Sequence, residues 1–398
     1  MIVGIDASNL RAGGGVTHLV ELLRAANPHV HKCDQVIVWA GSATLTKLEE
    51  RRWLRKVHDP LLDRALPFRV YWQRFKLAKL ARAAGCDVLF VPGGSDASGF
   101  RPMMTMSRNL LPFEWREMRR YGWSLISLRL LLLRLTQSRT FRKADGVIFL
   151  TQYARDAVLR VTGDLPGAVR IIPHGINPRF FLAPRQQRLP SAFVNKQPCR
   201  TLYVSIIDVY KHQWHVAEAV AQLRLEGVAI VLDLVGPAGP GIEHLRKTLQ
   251  RLDPEGEFIN YRGAIPYEQL HELYASADIG VFASSCENMP NILLEGMAAG
   301  LPLVCSTMGP MPEILGNAGV YSDPDKPSEI AEGIRQLIEL PELRAETAYE
   351  AYRRAQAFSW ARCADKTFEF LAQIAEGHRH RLHGSMVKKA PNLSHRDA

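Results

Sequence analysis

Two carboxylates, Glu287 and Glu295, bracket the stretch Glu287-Asn-Met-Pro-Asn-Ile-Leu-Leu-Glu295. The run before it, residues 278–283 (DIGVFA), is short, β-branched and aromatic, and reads as a buried strand. After Pro290 the sequence NILLEGMAAG reads as a helix with proline near its first turn. The stretch is thus a strand, a short loop and a helix N-terminus. In a parallel α/β sheet ligands settle in that crevice, and the unpaired amides of Asn291, Ile292 and Leu293 favour a phosphate. Glu287 and Asn288 stand in the loop, and Glu295 lies about a turn into the helix. Both carboxylates can therefore meet hydroxyls of one ligand whose phosphates rest on the helix end, a combination that suits a nucleotide sugar.

Two further positions carry the same chemistry. Lys211 follows a strand-like run in TLYVSIIDVYKHQWHVAEAV, near a helix start where the macrodipole disfavours a cation, which hints at an anionic partner. Gly13-Gly14-Gly15 lies in the first turn between a strand and a helix, and Gly14 and Gly15 let the backbone approach a diphosphate. The spacing is not G-x-G-x-x-G, so nicotinamide binding is not indicated. His212 and His215 lie close together without an evident third metal ligand and read as surface or packing residues; no metal site is expected.

The elements that must position these groups alternate in the manner of doubly wound α/β proteins. Strands are expected at 2–7, 35–40, 87–92, 102–106, 146–150 and 169–172, and again at 201–206, 230–235, 258–261, 279–283, 303–305 and 320–321. Helical patterns fill the gaps, among them 16–26, 69–84, 113–142, 151–162, 212–225 and 291–299. A polar, proline-bearing stretch without a period separates the two series. The expected organisation is an N-terminal Rossmann-like domain at 1–180, a linker at 181–200, a second Rossmann-like domain at 201–357, a final helix at 358–376, and a disordered basic tail at 377–398.

A chain of 398 residues, 47% hydrophobic and 23% charged, suits two globular domains. The start, MIVGIDASNL, reads as a strand already in use, so no signal peptide is expected, and no apolar run approaches the ~20 residues that span a bilayer. Six scattered cysteines without a C-x-x-C pair read as reduced thiols of a cytosolic protein. Cys286 adjoins the site but shows no base partner.

The net charge of +10 is concentrated: residues 101–145 hold ten Lys/Arg against three acids, and 377–398 hold five against one. Segment 108–143 also carries Trp115, Tyr121, Trp123 and many leucines. It reads either as amphipathic helices lying on an anionic membrane surface or as a core-packing hairpin with a basic outer face. No nucleic-acid recognition motif accompanies the charge, so nucleic acid is not an expected partner.

The Glu287–Glu295 stretch, followed by EGMAAGLPLV and GPMPEIL, resembles the E-x7-E signature of retaining glycosyltransferases of family 4. The resemblance runs from the glycine loop to residue 374 and is densest at 201–320. It implies the GT-B fold, with two Rossmann-like domains facing across a cleft and a C-terminal helix crossing back. It also implies a metal-independent enzyme needing no cofactor, with a nucleotide-diphosphate sugar as co-substrate. Glu287 and Lys211 then act at the reacting sugar and leaving group; Glu295, Asn291, Ile292, Leu293, Asn288, Gly14 and Gly15 bind the donor. One position departs from the pattern: relatives carry an arginine beside the lysine, and here Ile206 stands in its place. On the acceptor side the resemblance points to Arg108, Asn109 and, in the loop PGGSDASG, Asp96. His174 stands where relatives carry a turn asparagine and takes a structural role. The basic, tryptophan-bearing segment suggests a lipid-linked oligosaccharide acceptor, and cell-surface polysaccharide or O-antigen assembly on the inner face of a bacterial cytoplasmic membrane. An epimerase of the same fold, a decayed GT-B interaction protein, and Glu287 as a covalent nucleophile stay open.

Overall fold

The computed structural model describes residues 1–11 and 13–387, with side chains described up to residue 381. The alternating pattern folds into two parallel sheets. The first holds β1 (Ile2–Asp6), β2 (Gln35–Trp39), β3 (Leu54–Val57), β4 (Val88–Val91), β5 (Met103–Met106), β6 (Gly146–Phe149) and β7 (Ala168–Ile171) in the order β3-β2-β1-β4-β5-β6-β7. The second holds β8 (Cys199–Val204), β9 (Ile230–Val235), β10 (Ile259–Tyr261), β11 (Ile279–Phe282), β12 (Leu303–Ser306) and β13 (Val320–Ser322) in the order β10-β9-β8-β11-β12-β13. Every paired strand runs parallel. Central strands such as β4, β6 and β11 are buried along their whole length, because helices cover both faces.

β3 was not expected. Its sequence LRKV places Arg55 and Lys56 toward solvent on an edge strand, which leaves only Leu54 fully buried and no apolar run to recognise. The other twelve strands fall where the pattern puts them, displaced by at most two residues at either end. The order of each sheet reverses beside its first strand, between β1 and β4 in one and between β8 and β11 in the other. Crevices for ligands open at those switch points, beyond the carboxyl ends of the strands.

The expected helix 113–142 is broken into Trp115–Arg119 and Leu125–Lys143. Gly122, at φ 58°, turns the chain, and the Ser124 hydroxyl accepts from the Ser127 amide to start the second helix. The final helix runs Trp360–Val387 and so overruns the expected boundary at 376. Residues 377–387 are helical rather than a disordered tail, because their arginines have partners: Arg379 lies 3.8 Å from Asp87 and Arg381 3.3 Å from Asp145, both acids preceding strands of the first sheet. The rest of that tail, 388–398, lies outside the described residues. The helix crosses back onto the first domain, where Phe370 and Ile374 close over Gly146.

The segment between the sheets is held against the second domain. Leu182 donates its amide to the Ala298 carbonyl at 3.0 Å, and Arg185 donates to the carbonyls of Ala275 and Ala277. Among the described residues no helix is long and apolar enough to cross a membrane.

Candidate active site

The glycine turn after β1, the loop after β5, the turn after β8 and the loop after β11 meet around a cleft of about 500 Å³ between the domains. Lys211 ends the 3-10 turn Val209–Lys211, which Asp208 opens by accepting from the Val209 amide at 2.7 Å. Its ammonium lies over the rings of Tyr210 and Phe282 at 5.1 and 5.6 Å, and it donates to the Glu287 carboxylate. Lysine and glutamate, 76 positions apart in the chain, thus form one buried ion pair at the cleft wall.

Helix Asn291–Ala298 follows with Pro290 at its cap and no side-chain cap, so its first-turn amides have no intrahelical partner. Asn291 and Ile292 line the cleft, whereas the Leu293 side chain turns into the core, 1% exposed, and offers only its backbone. Glu295 lines the same cleft and is otherwise buried; the Tyr274 hydroxyl donates to it at 3.2 Å. Burial pushes its carboxyl up to about 8, against the lowering effect of hydrogen bonds from Tyr274 and Tyr267. Asn288 joins the domains: its carbonyl accepts from Thr151 Oγ1 at 3.0 Å and its amide donates to Ser107 Oγ at 3.3 Å.

On the opposite wall, Gly14 lines the cleft. Gly15 sits behind it, where a Cβ would lie 2.8 Å from Arg108 Nη1, so any side chain there displaces the arginine. Arg108 itself lines the cleft, whereas Asn109 and Asp96 do not. Asn109 is an exposed turn residue whose Oδ1 accepts from the Leu111 amide at 3.1 Å. Asp96 folds back on its own loop and accepts from the amide and hydroxyl of Ser98 at 2.9 and 2.6 Å. Short polar side chains that satisfy their own turn are indistinguishable in sequence from ligand-facing ones.

His174 also reaches the cleft, and its Nδ1 lies 2.8 Å from Nδ1 of His18. Burial, and then the charge of Arg108, lower His174 to about 3 and hold His18 well below the ordinary histidine range. Tyr267, Ile265 and Leu270 form an apolar end of the cleft that the sequence did not disclose, since single residues after a short strand carry no signal. Ile206 lines the cleft as well and leaves its position without a cation. Burial pushes the Cys286 thiol well above its usual value, which fits an inert cysteine.

His212 is fully buried rather than a surface residue, at φ 53°. With His215 it finds a third potential ligand in Asp325, all within 4.8 Å. Asp325 is engaged elsewhere, however: Arg120 grips both its oxygens at 3.0 and 2.8 Å and Arg116 adds a contact at 2.9 Å. Two guanidiniums on the one carboxylate oppose a cation there. These contacts belong to a clamp across the domains. Tyr121 donates to Asp208 at 2.7 Å, Ser285 donates to Glu117, and the Glu313 carboxylate accepts from the amides of Gln152 and Tyr153 at the start of helix Gln152–Thr162. Part of the basic segment 108–143 is therefore spent on closing the cleft.

Its remainder keeps one face exposed. Trp123, Leu125, Leu128, Leu132 and Leu135 face outward beside Arg129 and Arg139. The π-bulged helical stretch 66–83 exposes Phe68, Tyr71 and Phe75 beside Arg74 and Lys79. Both stretches hold the loop after β4, through Gln73 to Ser95 and Ala97 and through Thr140 to Asp96.

Similarity to known proteins agrees with this geometry. The chain matches the family described as Glycosyltransferase Family 4 over residues 12–180 and that described as Glycosyl transferases group 1 over residues 185–354. With the two facing sheets and the crossover helix, these matches define the class: the chain has the GT-B fold, and each of its two halves matches a glycosyltransferase family. Among curated relatives it is 31% identical over 167 residues to O-antigen chain mannosyltransferase B of Escherichia coli, covering 42% of this chain and 44% of the relative. It is 26% identical over 248 residues to the D-inositol 3-phosphate glycosyltransferase of a Streptomyces bingchenggensis strain, covering 59% and 54%. The chain thus spans about half the length of these relatives. Among solved structures it resembles the sucrose-phosphate synthase of Thermosynechococcus elongatus, with TM-score 0.75, 19% identity and coverage of 95% and 100%. Anabaena HepE in complex with UDP and glucose superposes with TM-score 0.68, 20% identity and coverage of 94% and 100%.

Proposed function

We propose that the protein is a retaining, metal-independent glycosyltransferase that moves a hexosyl group from a nucleoside diphosphate sugar to a lipid-linked saccharide acceptor. One observation carries the proposal: Lys211, Glu287, Glu295 and the free first-turn amides of helix Asn291–Ala298 converge on one cleft. Breaking the bond between the anomeric carbon and the diphosphate oxygen leaves negative charge on the phosphate and positive charge on the sugar ring. Lys211 and the helix amides stabilise the former as it develops. Glu287, released from Lys211 as the diphosphate takes over the ammonium, holds sugar hydroxyls and faces the cationic ring. Glu295 accepts from the ribose hydroxyls, and the wall of Ile265, Tyr267 and Leu270 suits a base.

The acceptor hydroxyl attacks from the face the diphosphate leaves, and its proton passes to a leaving phosphate oxygen, so no protein base is required. The strongly lowered basicity of His174, the histidine on the cleft wall, fits that route. The epimerase alternative gains no support, since both matched families are glycosyltransferases.

The exposed apolar and basic faces of 66–83 and 123–143 support docking on an anionic membrane from the cytoplasmic side. The similarity to an O-antigen chain mannosyltransferase supports a place in cell-surface polysaccharide assembly. The test is thermal stability in the presence of UDP, GDP and ADP and their sugars, for the wild type and Glu295→Ala. A ligand at a hundredfold excess over Kd adds about 2.7 kcal/mol. One nucleotide should stabilise the wild type and fail to stabilise the variant. No response to any nucleotide would sink the proposal.

A further inference from the structure

The cleft has a cation that nothing among the described residues neutralises. Among the described residues its lining includes two basic side chains, Lys211 from the second domain and Arg108 from the first. Lys211 rests on Glu287. Arg108 has no ion-pair partner and no side-chain hydrogen bond among the described residues, and its buried Nε is left unpartnered. Other arginines at the same interface are satisfied: Arg116 and Arg120 both pair with Asp325. A partly buried guanidinium without an anion is unfavourable by itself, and burial lowers its pKa to about 10.

Its position is fixed from several sides. Gly14 and Gly15 leave the space its guanidinium occupies: Cβ atoms there would lie 3.7 and 2.8 Å from Nη2 and Nη1. Asn291, at the start of the helix whose amides are free, comes within 3.8 Å of the same Gly14 position, with its Oδ1 unpartnered. Two neighbouring histidines are held neutral partly by this same charge, so they do not compete for an anion. Across the cleft Ile206 presents a hydrocarbon where the second phosphate-gripping cation is absent.

We propose that Arg108 supplies the missing cation from the opposite domain, binding the diphosphate of the donor together with Lys211. The assignment rests on the glycosyl-transfer reading and goes beyond it in three ways. The leaving group is clamped between domains rather than held by one of them, so full donor affinity requires the closed cleft. The fork of the guanidinium, which can bind two phosphate oxygens at once, makes lysine an inadequate replacement. The deficit at Ile206 is repaired by a residue more than ninety positions away, so the two positions are exchangeable in function.

That exchangeability is the test. Titration calorimetry with UDP, GDP and ADP, and with the matching monophosphates, is carried out on wild type, Arg108→Gln, Arg108→Ala and the double variant Arg108→Ala/Ile206→Arg. The nucleoside diphosphate that binds wild type should bind Arg108→Gln and Arg108→Ala roughly ten- to a hundredfold more weakly, since hydrogen bonds to charged groups are worth that much. The monophosphate should lose less, and the double variant should recover most of the affinity. Without ligand, the melting temperature of Arg108→Gln should be unchanged or higher, because an unpaired buried charge is gone; a purely structural arginine would give a lower one. Unchanged diphosphate affinity in both single variants overturns the proposal while leaving the transferase reading intact. The same holds if the loss appears only in KM for the acceptor, or if inorganic phosphate competes with acceptor and not with nucleotide. Failure of any nucleotide to bind wild type would instead defeat the transferase reading itself.

Discussion

The chemistry of single residues here depends on what burial does to charge. Glu295 sits with its carboxyl raised to about 8 from an ordinary 4.5, so without a bound ligand it is largely protonated at neutral pH. The folded state then binds more protons than the unfolded chain between those two values. Its contribution to stability is fully present below pH 4.5, declines as pH rises, and is lost by about pH 8. Thermal unfolding of wild type and Glu295→Gln across that window should show a slope that only the wild type has. A ribose hydroxyl bonds best to the carboxylate, so nucleotide binding should release a proton. Affinity should then rise with pH up to about 8, by at most roughly tenfold per unit. Calorimetry in two buffers of different ionisation enthalpy measures that proton. A pH-independent affinity in the wild type would remove Glu295 from the ribose contact.

Among elements, the helices of the first domain divide their labour. Helix Trp115–Arg119 turns its charges onto the second domain, whereas Leu125–Lys143 keeps Leu130 and Phe141 in the core and leaves its other leucines outside. The segment thus divides at Gly122 into a part packed on the second domain and a part that keeps an exposed apolar face. Stretch 66–83 adds exposed aromatics, with Tyr71 and Phe75 rings 4.9 Å apart. Co-sedimentation with vesicles rich in anionic lipid should detect this surface. Arg129→Ser with Arg139→Ser should weaken binding by about 1 kcal/mol for each basic residue lost, roughly thirtyfold together. Turnover of a soluble acceptor analogue should be unaffected, because both side chains are solvent-exposed and neither lines the cleft. Equal binding of the double variant would mean that the apolar faces meet something other than an anionic membrane.

At the scale of the molecule, two rigid sheets present their switch points to one another, and a polar clamp sets the gap. Arg116, Arg120, Tyr121 and Glu117 on one side meet Asp325, Asp208 and Ser285 on the other. Closure of such a cleft excludes water from the donor and limits its hydrolysis. Asp325→Ala removes the hub of the clamp and leaves two arginines unpaired in a partly exposed site, a loss of about 2 kcal/mol of closure energy before solvent screening reduces it. Small-angle scattering should show a larger radius of gyration for the ligand-free variant than for wild type, and saturating donor nucleotide should narrow the difference. Donor hydrolysis relative to transfer should rise. Identical scattering curves would show that the other cross-domain contacts and the crossover helix Trp360–Val387 hold the cleft closed without Asp325.

Local pattern sufficed for much of this. Buried parallel strands must be continuous apolar runs, and a phosphate-binding turn must pair a strand end with an uncapped helix start. The two-sheet architecture and the convergence of Glu287, Glu295, Lys211 and the glycine turn therefore stand in the order of residues. What depends on approach in space did not. The edge strand β3, bearing Arg55 and Lys56, has no apolar run to betray it. Asn109 and Asp96 satisfy their own turns, a matter of one torsion angle rather than of residue type. The helical state of 377–387 comes from acids at distant strand starts that accept its arginines. The sequence by itself determined that Glu287, Glu295, Lys211 and the glycine turn belong together, because each follows a strand that the periodicity marks. Only the tertiary structure decided which basic residues close the cleft and which, like Arg108, stay unpaired inside it. A charge is made free or satisfied by partners brought to it from elsewhere in the chain, and spacing along the chain does not encode that distance.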